Sequence, residues 1–297
     1  MSVQSNPAPA KPGLKRRWLF VILALTFLFV LMPFLFWQAT WFGKPLDNAQ
    51  LAKSLNDRAN PREVQHALSQ LADRILAPSP DVRDSARPFY PQVVQIAQTG
   101  QDELRLTAAW VMGQDNSGPG FHEELLSLLQ DPNRMVRRNA ALALVRFHDA
   151  SGIGEIRSML QPYTIVATGL PMGAVASVLS ATLDERLKPG DMINPGTLIG
   201  RIDLPDQSPI ELRSQVPGTI DHWLLPNKAK VRPFQPILSV DPSNDEIWEA
   251  LRALYLIGDA RDLPVLDNIA RGAGDVPLRV RQQAEIAASA IRSRLAH

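Results

Sequence analysis

The chain of 297 residues contains no cysteine, and its charges nearly cancel to a net value of +1. The absence of cysteine excludes disulfide bonds, thiolate metal sites and cysteine nucleophiles. A net charge this close to zero gives no reason to expect a nucleic acid as a partner.

The sequence also lacks the short motifs of common enzymes. There is no G-x-S-x-G elbow, no phosphate-binding Walker loop and no G-x-G-x-x-G pattern. The histidines are scattered, without the i, i+4 spacing of a zinc-binding helix, at His66, His122, His148, His222 and His297. We therefore expect no catalytic residue, no metal and no cofactor, and we predict that the protein is not an enzyme.

One long stretch is free of charge, at residues 18–37. A helix of that length spans roughly 30 Å, the thickness of a hydrocarbon core, so we predict a transmembrane anchor at residues 18–38. Trp18 and Trp37 lie at its two ends, where interfacial aromatic residues belong. The alternative is a cleaved signal peptide, but the stretch after Trp37 has no small-x-small cleavage site.

Basic residues directly precede this apolar run, which predicts a cytoplasmic N-terminus. Residues 1–17 are rich in proline, serine and alanine, and we expect them to form a disordered cytoplasmic tail. The rest of the chain would then lie outside the cytoplasmic membrane, in the periplasm of a Gram-negative cell.

Apolar residues recur at helical spacing over residues 45–160 and again over residues 245–297. The first clear stripe runs from Val64 to Ile75. Two later segments repeat with the same offset, Leu104 to Val136 (136 − 104 = 32) and Trp248 to Val280 (280 − 248 = 32). A period near 32 with paired helices is typical of an α-helical solenoid.

The segment DPNRMVRRNAALAL at residues 131–144 resembles the HEAT-repeat pattern, in which an acidic residue precedes Val-Arg and an alanine-rich helix. This resemblance implies a protein-binding solenoid. We expect Asp131 to cap the following helix, and Arg137 and Arg281 to bridge stacked units. Trp110 and Trp248 fall at helical core positions, so we expect both to be buried.

Residues 163–242 interrupt the helical pattern with a stretch rich in Pro, Gly and β-branched residues. Residues 193–202 are echoed by residues 231–240, an offset of 231 − 193 = 38, and residues 170–175 are echoed by residues 215–220. These echoes predict a small quasi-two-fold, all-β domain inserted between helical repeats. We expect the helices on either side, near Ile156 and Ile247, to pack together across it.

The strings LKPGDMINPGTLI (residues 187–199) and VPGTI (residues 216–220) resemble biotinyl/lipoyl carrier domains and the barrel-sandwich domains of bacterial membrane-fusion proteins. In the carrier domains that this segment resembles, a modified lysine lies on the hairpin between the two halves. Gln207 occupies that position here, and an amide cannot carry biotin or lipoate. The resemblance therefore implies a barrel-sandwich fold without carrier chemistry.

The sequence predicts a membrane-anchored, non-enzymatic scaffold that binds protein partners, with possible contact residues at Trp223, Asp206 and Gln207. We expect Trp223 on the exposed face of a strand, where an aromatic residue can anchor a partner contact. One alternative is a membrane-fusion-type adaptor subunit of an export or envelope machine. Another is a carrier or enzyme, which would require a covalent adduct on a lysine of the insert such as Lys188, Lys228 or Lys230.

Overall fold

The structure is a computed structural model that describes residues 16–39, 45–170, 181–205 and 208–296. The chain divides into two compact units, residues 1–51 and residues 52–297.

The first unit contains the apolar stretch as a continuous helix, α1 (Arg16–Ala39), followed by the start of α2 (Asn48–Leu55). The side chains described in α1 are those of Trp18 and residues 20–35, and nearly all are exposed apolar groups. Within the described part of the chain, no helix combines the length and apolarity needed to cross a membrane. The predicted helix at residues 18–38 is thus present, whereas its crossing of a membrane is not supported. Most of the predicted tail, residues 1–15, lies outside the described residues.

The second unit is built mainly from helices. They are α3 (Pro61–Ile75), α4 (Pro80–Asp84), α5 (Tyr90–Thr99), α6 (Asp102–Met112), α7 (Phe121–Leu128), α8 (Arg134–Val145), α9 (Ile153–Ser158), α10 (Asn244–Ile257), α11 (Leu263–Ala270) and α12 (Leu278–Leu295). Proline starts several of them, because a residue at the first helical position needs no backbone N–H partner. The apolar stripe from Val64 to Ile75 forms the buried face of α3, as its spacing predicted.

The helices stack as two rows, which confirms the repeat architecture. One row consists of α3, α6, α8, α10 and α12, each packed on the next. The shorter helices α5, α7, α9 and α11 pack against this row. The residues offset by 32 in the sequence begin successive helices of the long row, so the sequence period is the repeat of the stack.

The solenoid continues across the inserted segment. Ile156 and Met159 of the α9 region share one buried cluster with Ile247 and Leu251 of α10. Because α8 and α10 pack directly against each other, the two parts of the solenoid form a single core. The predicted packing of residues near Ile156 and Ile247 across the insert is therefore confirmed.

The inserted segment forms strands β1 (Tyr163–Val166), β2 (Thr182–Glu185), β3 (Met192–Ile193), β4 (Leu198–Asp203), β5 (Ile210–Arg213), β6 (Gly218–Trp223) and β7 (Pro236–Pro242). They make two antiparallel sheets, in the orders β1-β7-β6-β3 and β2-β4-β5. Apolar side chains from both sheets share one core that includes Leu183, Ile199, Ile220 and Leu238.

The two halves of this β region have equivalent topology, as the echo at an offset of 38 predicted. β1 pairs with β7 in the way that β5 pairs with β4, and β6 pairs with β7 as β2 pairs with β4. The short contact between β3 and β6 is matched by an isolated bridge between Thr182 and Lys230. Leu183 has the place in the first half that Ile220 has in the second. Of residues 170–175, which carry one side of the second predicted echo, only Leu170 is described. Residues 171–180 lie outside the described part of the chain.

The halves also exchange turns. Gly190 donates its N–H to Ile220 O (2.7 Å), and Ile220 donates to Asp191 O (3.0 Å). The same reciprocal pair joins Lys228 to Leu183 O (2.8 Å) and Leu183 to Ala229 O (2.9 Å). Each half therefore places a turn against the strand of the other half, and neither half is complete alone.

Candidate partner-binding groove

A groove of about 710 Å³ runs along the long row of helices. Its lining residues come from α6 and α8, before the β insert, and from α10 and α12, after it. The groove therefore exists only because the solenoid closes across the insert.

Three large apolar side chains in this groove are exposed. Trp110 of α6 is 41% exposed, and Tyr255 and Leu256 of α10 are 42% and 49% exposed. The prediction that Trp110 is buried is thus wrong. Its neighbours Ala109 and Val111 are buried, and the helical rotation of about 100° per residue turns Trp110 away from the centre of that face. The related prediction for Trp248 holds in part, since it is half-buried against the core.

Two arginines give the groove a positive rim. Arg146 donates hydrogen bonds to Gly113 O (3.1 Å) and Gln114 Oε1 (2.8 Å), which hold its guanidinium at the edge of the groove. Arg252 stacks on Trp248, with 4.7 Å from its guanidinium carbon to the ring centroid. Among the described residues that line the groove, the one carboxylate is Glu249, which lies 3.5 Å from Arg252 in an exposed and weak pair. The rim thus favours a negatively charged group.

The repeats that carry the groove are joined by a partly buried ion pair that sequence reasoning missed. Arg105 of α6 donates two hydrogen bonds to the carboxylate of Asp131, at 2.7 Å and 3.0 Å. Burial alone would raise the pKa of Asp131, but the hydrogen bonds from Arg105 and from the Asn133 N–H outweigh it and hold this pKa below its usual value. Arg105 repeats Arg137 at the period of 32, a signal that could have identified it.

The predicted roles of Asp131, Arg137 and Arg281 need correction. The cap of α8 is Asn133, whose side chain accepts the Met135 N–H at 2.8 Å, while Asp131 fixes the preceding turn. Arg137 bonds Asp131 O and Glu155 Oε1, so it ties its own helix pair together. Arg281 donates to Val276 O, five residues earlier and directly before its own helix, so this bond does not bridge to a neighbouring unit.

Two further ion pairs span the insert and hold the helices after it against the helices before it. Arg138 of α8 pairs with Glu246 of α10, and both side chains are buried. Burial raises the pKa of the Glu246 carboxyl, and the guanidinium of Arg138 opposes this rise. Arg157 of α9 donates to the buried carboxylate of Asp262 at 2.6 Å. These residues position the groove, although none of them lines it.

Trp223, a predicted partner contact, is half-buried and packs on the β core. Its indole N–H donates to Leu187 O at 3.2 Å. The expected alternation is broken by a β-bulge between Ile220 and His222, which returns Trp223 to the side of Ile220. Trp223 is therefore not on an open strand face, and the other two predicted contacts, Asp206 and Gln207, lie outside the described residues.

Two of the described histidines bond neighbouring carboxylates. His122 bonds the Asp149 carboxylate at 2.7 Å, and His222 bonds Asp221 at 2.7 Å. Across the described ranges, no group of three or more His, Asp or Glu side chains is arranged to hold a metal ion.

Comparison with known families matches residues 90–162 to the family model of HEAT repeats. This segment runs from α5 through α9 and includes the helices that carry Trp110, Asn139 and Arg146 of the groove. No curated protein matches the chain. The resemblance to HEAT repeats predicted from residues 131–144 is therefore confirmed for this part of the chain, and such repeats are typical of protein-interaction scaffolds.

Proposed function

We propose that the protein is a non-enzymatic scaffold that binds a partner polypeptide in the groove of its long helical row. The observation that carries this proposal is the exposure of Trp110 and Tyr255 in one groove, whose lining helices come from both sides of the insert. Tryptophan and tyrosine dominate the binding energy of many protein interfaces, because they bury a large area at a small entropic cost.

The groove also indicates the chemistry of its partner. Trp110, Leu142 and Leu256 offer apolar contact, and Arg146 and Arg252 together outweigh the charge of Glu249. A polypeptide segment with an apolar side chain and a nearby carboxylate complements both features. Its carboxylate would compete with Glu249 for Arg252, which costs little because that exposed pair is weak.

We further propose that α1 attaches the protein to the cytoplasmic membrane, with residues 45–297 on the outer, periplasmic side. Support comes from the exposed apolar side chains of α1 and from its 24 residues, which extend about 36 Å at the usual helical rise. Alkaline carbonate extraction of native membranes tests the attachment. Release of the full-length chain into the supernatant would contradict it.

For the β region, we propose a biotinyl/lipoyl-like barrel-sandwich fold that has lost its carrier function. The exchange of turns between its equivalent halves supports this assignment, and the sequence between Asp203 and Ile210 contains no lysine. The intact mass of the protein purified from native membranes tests the second part. A covalent adduct on Lys188, Lys228 or Lys230 would favour a carrier instead.

The groove is tested by photocrosslinking in cells that produce the full chain. A benzophenone amino acid replaces Tyr255 in one variant and Leu278 in a control, because Leu278 is even more exposed than Tyr255 and lies outside the groove. We expect one protein to crosslink at position 255 and not at position 278, and mass spectrometry identifies it.

A second substitution ties this crosslink to the groove. Trp110→Ala, introduced into the chain with the crosslinker at position 255, should reduce the yield of the same adduct at least about tenfold, as for a loss of 1.4 kcal/mol or more. An adduct of unchanged yield would show that the partner does not use the groove. Purification of the folded variant and its thermal unfolding exclude misfolding as the cause.

A further inference from the structure

The two equivalent halves of the β region differ at one kind of position. Each half contains two turns in which the third residue has a positive φ, as type II turns require. In the first half these residues are Gly190 (φ 90°) and Gly196 (φ 86°). In the second half, 38 positions later, they are Lys228 (φ 66°) and Phe234 (φ 58°).

Among the described residues, little compensates Phe234 for this conformation. The left-handed region disfavours any residue with a Cβ atom, and bulky residues most of all. The side chain of Phe234 is 60% exposed, so little burial offsets the strain. Gly196, in the sister turn, forms the same hydrogen-bonding pattern without strain. An exposed phenylalanine at a glycine position, in one half only, is therefore better explained by a contact outside the molecule.

The turn that carries Phe234 lies at the end of the β region that is far from the helices. β7 begins two residues after Phe234 and runs seven residues to Pro242, directly before α10. At about 3.3 Å per residue, the turn lies roughly 20 Å from this junction. Leu224, at the adjacent end of β6, is also exposed and donates its N–H to Ile237 O (2.7 Å).

Basic residues flank the apolar side chains at this end. Lys230 and Arg232 lie on either side of the buried Val231, so both side chains point outward. Within the described ranges, neither side chain forms a salt bridge, whereas Lys228 is paired with Asp184 at 3.4 Å. We define the distal tip as Leu224, Lys230, Arg232 and Phe234.

We propose that the distal tip binds an anionic lipid surface, with Phe234 entering the interface between headgroups and acyl chains. An exposed aromatic residue beside cations suits a lipid interface. There the headgroups and acyl chains surround the ring, and the cations contact anionic headgroups. A stable protein interface needs about 800 Å² from each partner, which a convex tip of four side chains does not provide. The lipid surface is thus favoured over a protein pocket.

This proposal adds a second lipid contact to the membrane attachment proposed for α1, and it rests on that attachment only for bringing the tip near a membrane.

Because the chain contains no cysteine, one introduced cysteine can be labelled without background. The probe is the full chain with Phe234→Cys carrying the fluorophore NBD, reconstituted into phosphatidylcholine vesicles with about 30% phosphatidylglycerol. The matched control is Asn194→Cys with the same label. Asn194 begins the sister turn, which lies at the end of the β region opposite to the distal tip.

We expect lipids with a nitroxide group near the headgroup to quench the label at position 234 about twofold, and to leave position 194 nearly unquenched. Arg232→Glu, or vesicles of phosphatidylcholine alone, should remove most of this quenching. A chain that floats with the vesicles but shows equal quenching at both positions overturns the tip proposal and leaves the α1 attachment intact. Blue-shifted emission at position 234 without lipid quenching would place the tip against protein and also overturns it. A chain that fails to float with any vesicle overturns both proposals.

Discussion

Phe234 adopts a strained, left-handed backbone conformation at a position where glycine would satisfy the turn without strain. Replacement by glycine removes the strain of the left-handed conformation, worth roughly 1–2 kcal/mol, and adds unfolded-state entropy worth somewhat less. We expect Phe234→Gly to raise the free energy of unfolding by about 0.5 kcal/mol in urea titrations. The matched variant Gly196→Ala should lower it by about 1 kcal/mol, because φ at Gly196 is +86°. A clear loss of stability in Phe234→Gly would show that the ring supports the fold.

A second prediction at the residue scale concerns the buried ion pair between Arg138 and Glu246. Loss of one partner leaves the other charge buried, so Arg138→Leu should lower the free energy of unfolding by about 3–5 kcal/mol. The double variant with Glu246→Gln should recover much of this loss, since the amide can still accept the Ser243 N–H of the helix cap. Urea unfolding of the two variants measures the difference. Equal destabilisation in both would mean that buried charge is not the cause.

At the scale of elements, the contact between successive repeats depends on the carboxylate of Asp131. Its pKa in the folded protein is below the unfolded value of about 3.9, so ionised Asp131 stabilises the fold above that pH. The contribution is lost as the pH falls through the folded-state pKa.

We therefore expect Asp131→Asn to lower the free energy of unfolding by about 1.5–3 kcal/mol at neutral pH, the usual worth of a hydrogen bond to a charged group. The difference from the natural protein should shrink below about pH 4. Urea titrations at several pH values measure it. Asp102→Asn is a suitable control, because Asp102 is more exposed and bonds Arg105 through one oxygen. A difference that grows toward low pH would contradict the assignment.

Elements with strong periodicity could be predicted from sequence, and those set by irregular pairing could not. The buried stripe of α3 follows its i, i+3, i+4 spacing directly. The orientation of Trp223 follows from a β-bulge, which depends on how β6 pairs with β7 and leaves no period in the sequence. The cap at Asn133 was missed because Asp131 and Asn133 are both good cap residues, and the choice depends on Arg105 holding Asp131.

For the whole molecule, the insert should be separable from the solenoid. Thr164 and Ser239 face each other in the pairing of β1 with β7, so a two-residue Asn-Gly turn can join them when residues 165–238 are removed. We expect the shortened chain to keep cooperative thermal unfolding and the helical circular dichroism of α3 to α12. The Tyr255 crosslink should also persist, because the groove is lined by helices. Loss of cooperative unfolding would show that the β region supports the solenoid.

The sequence by itself determined the helical repeats, their period of 32, the apolar run that becomes α1 and the quasi-two-fold β insert. Each of these depends on local spacing of apolar residues, turns or glycines, which a linear pattern records. Only the tertiary structure decided that Trp110 is exposed in the same groove as Tyr255 and that Phe234 has the place of a glycine in its sister turn. These features arise when segments far apart in the chain pack together. No single stretch of sequence therefore specifies their contacts or the surfaces that stay exposed.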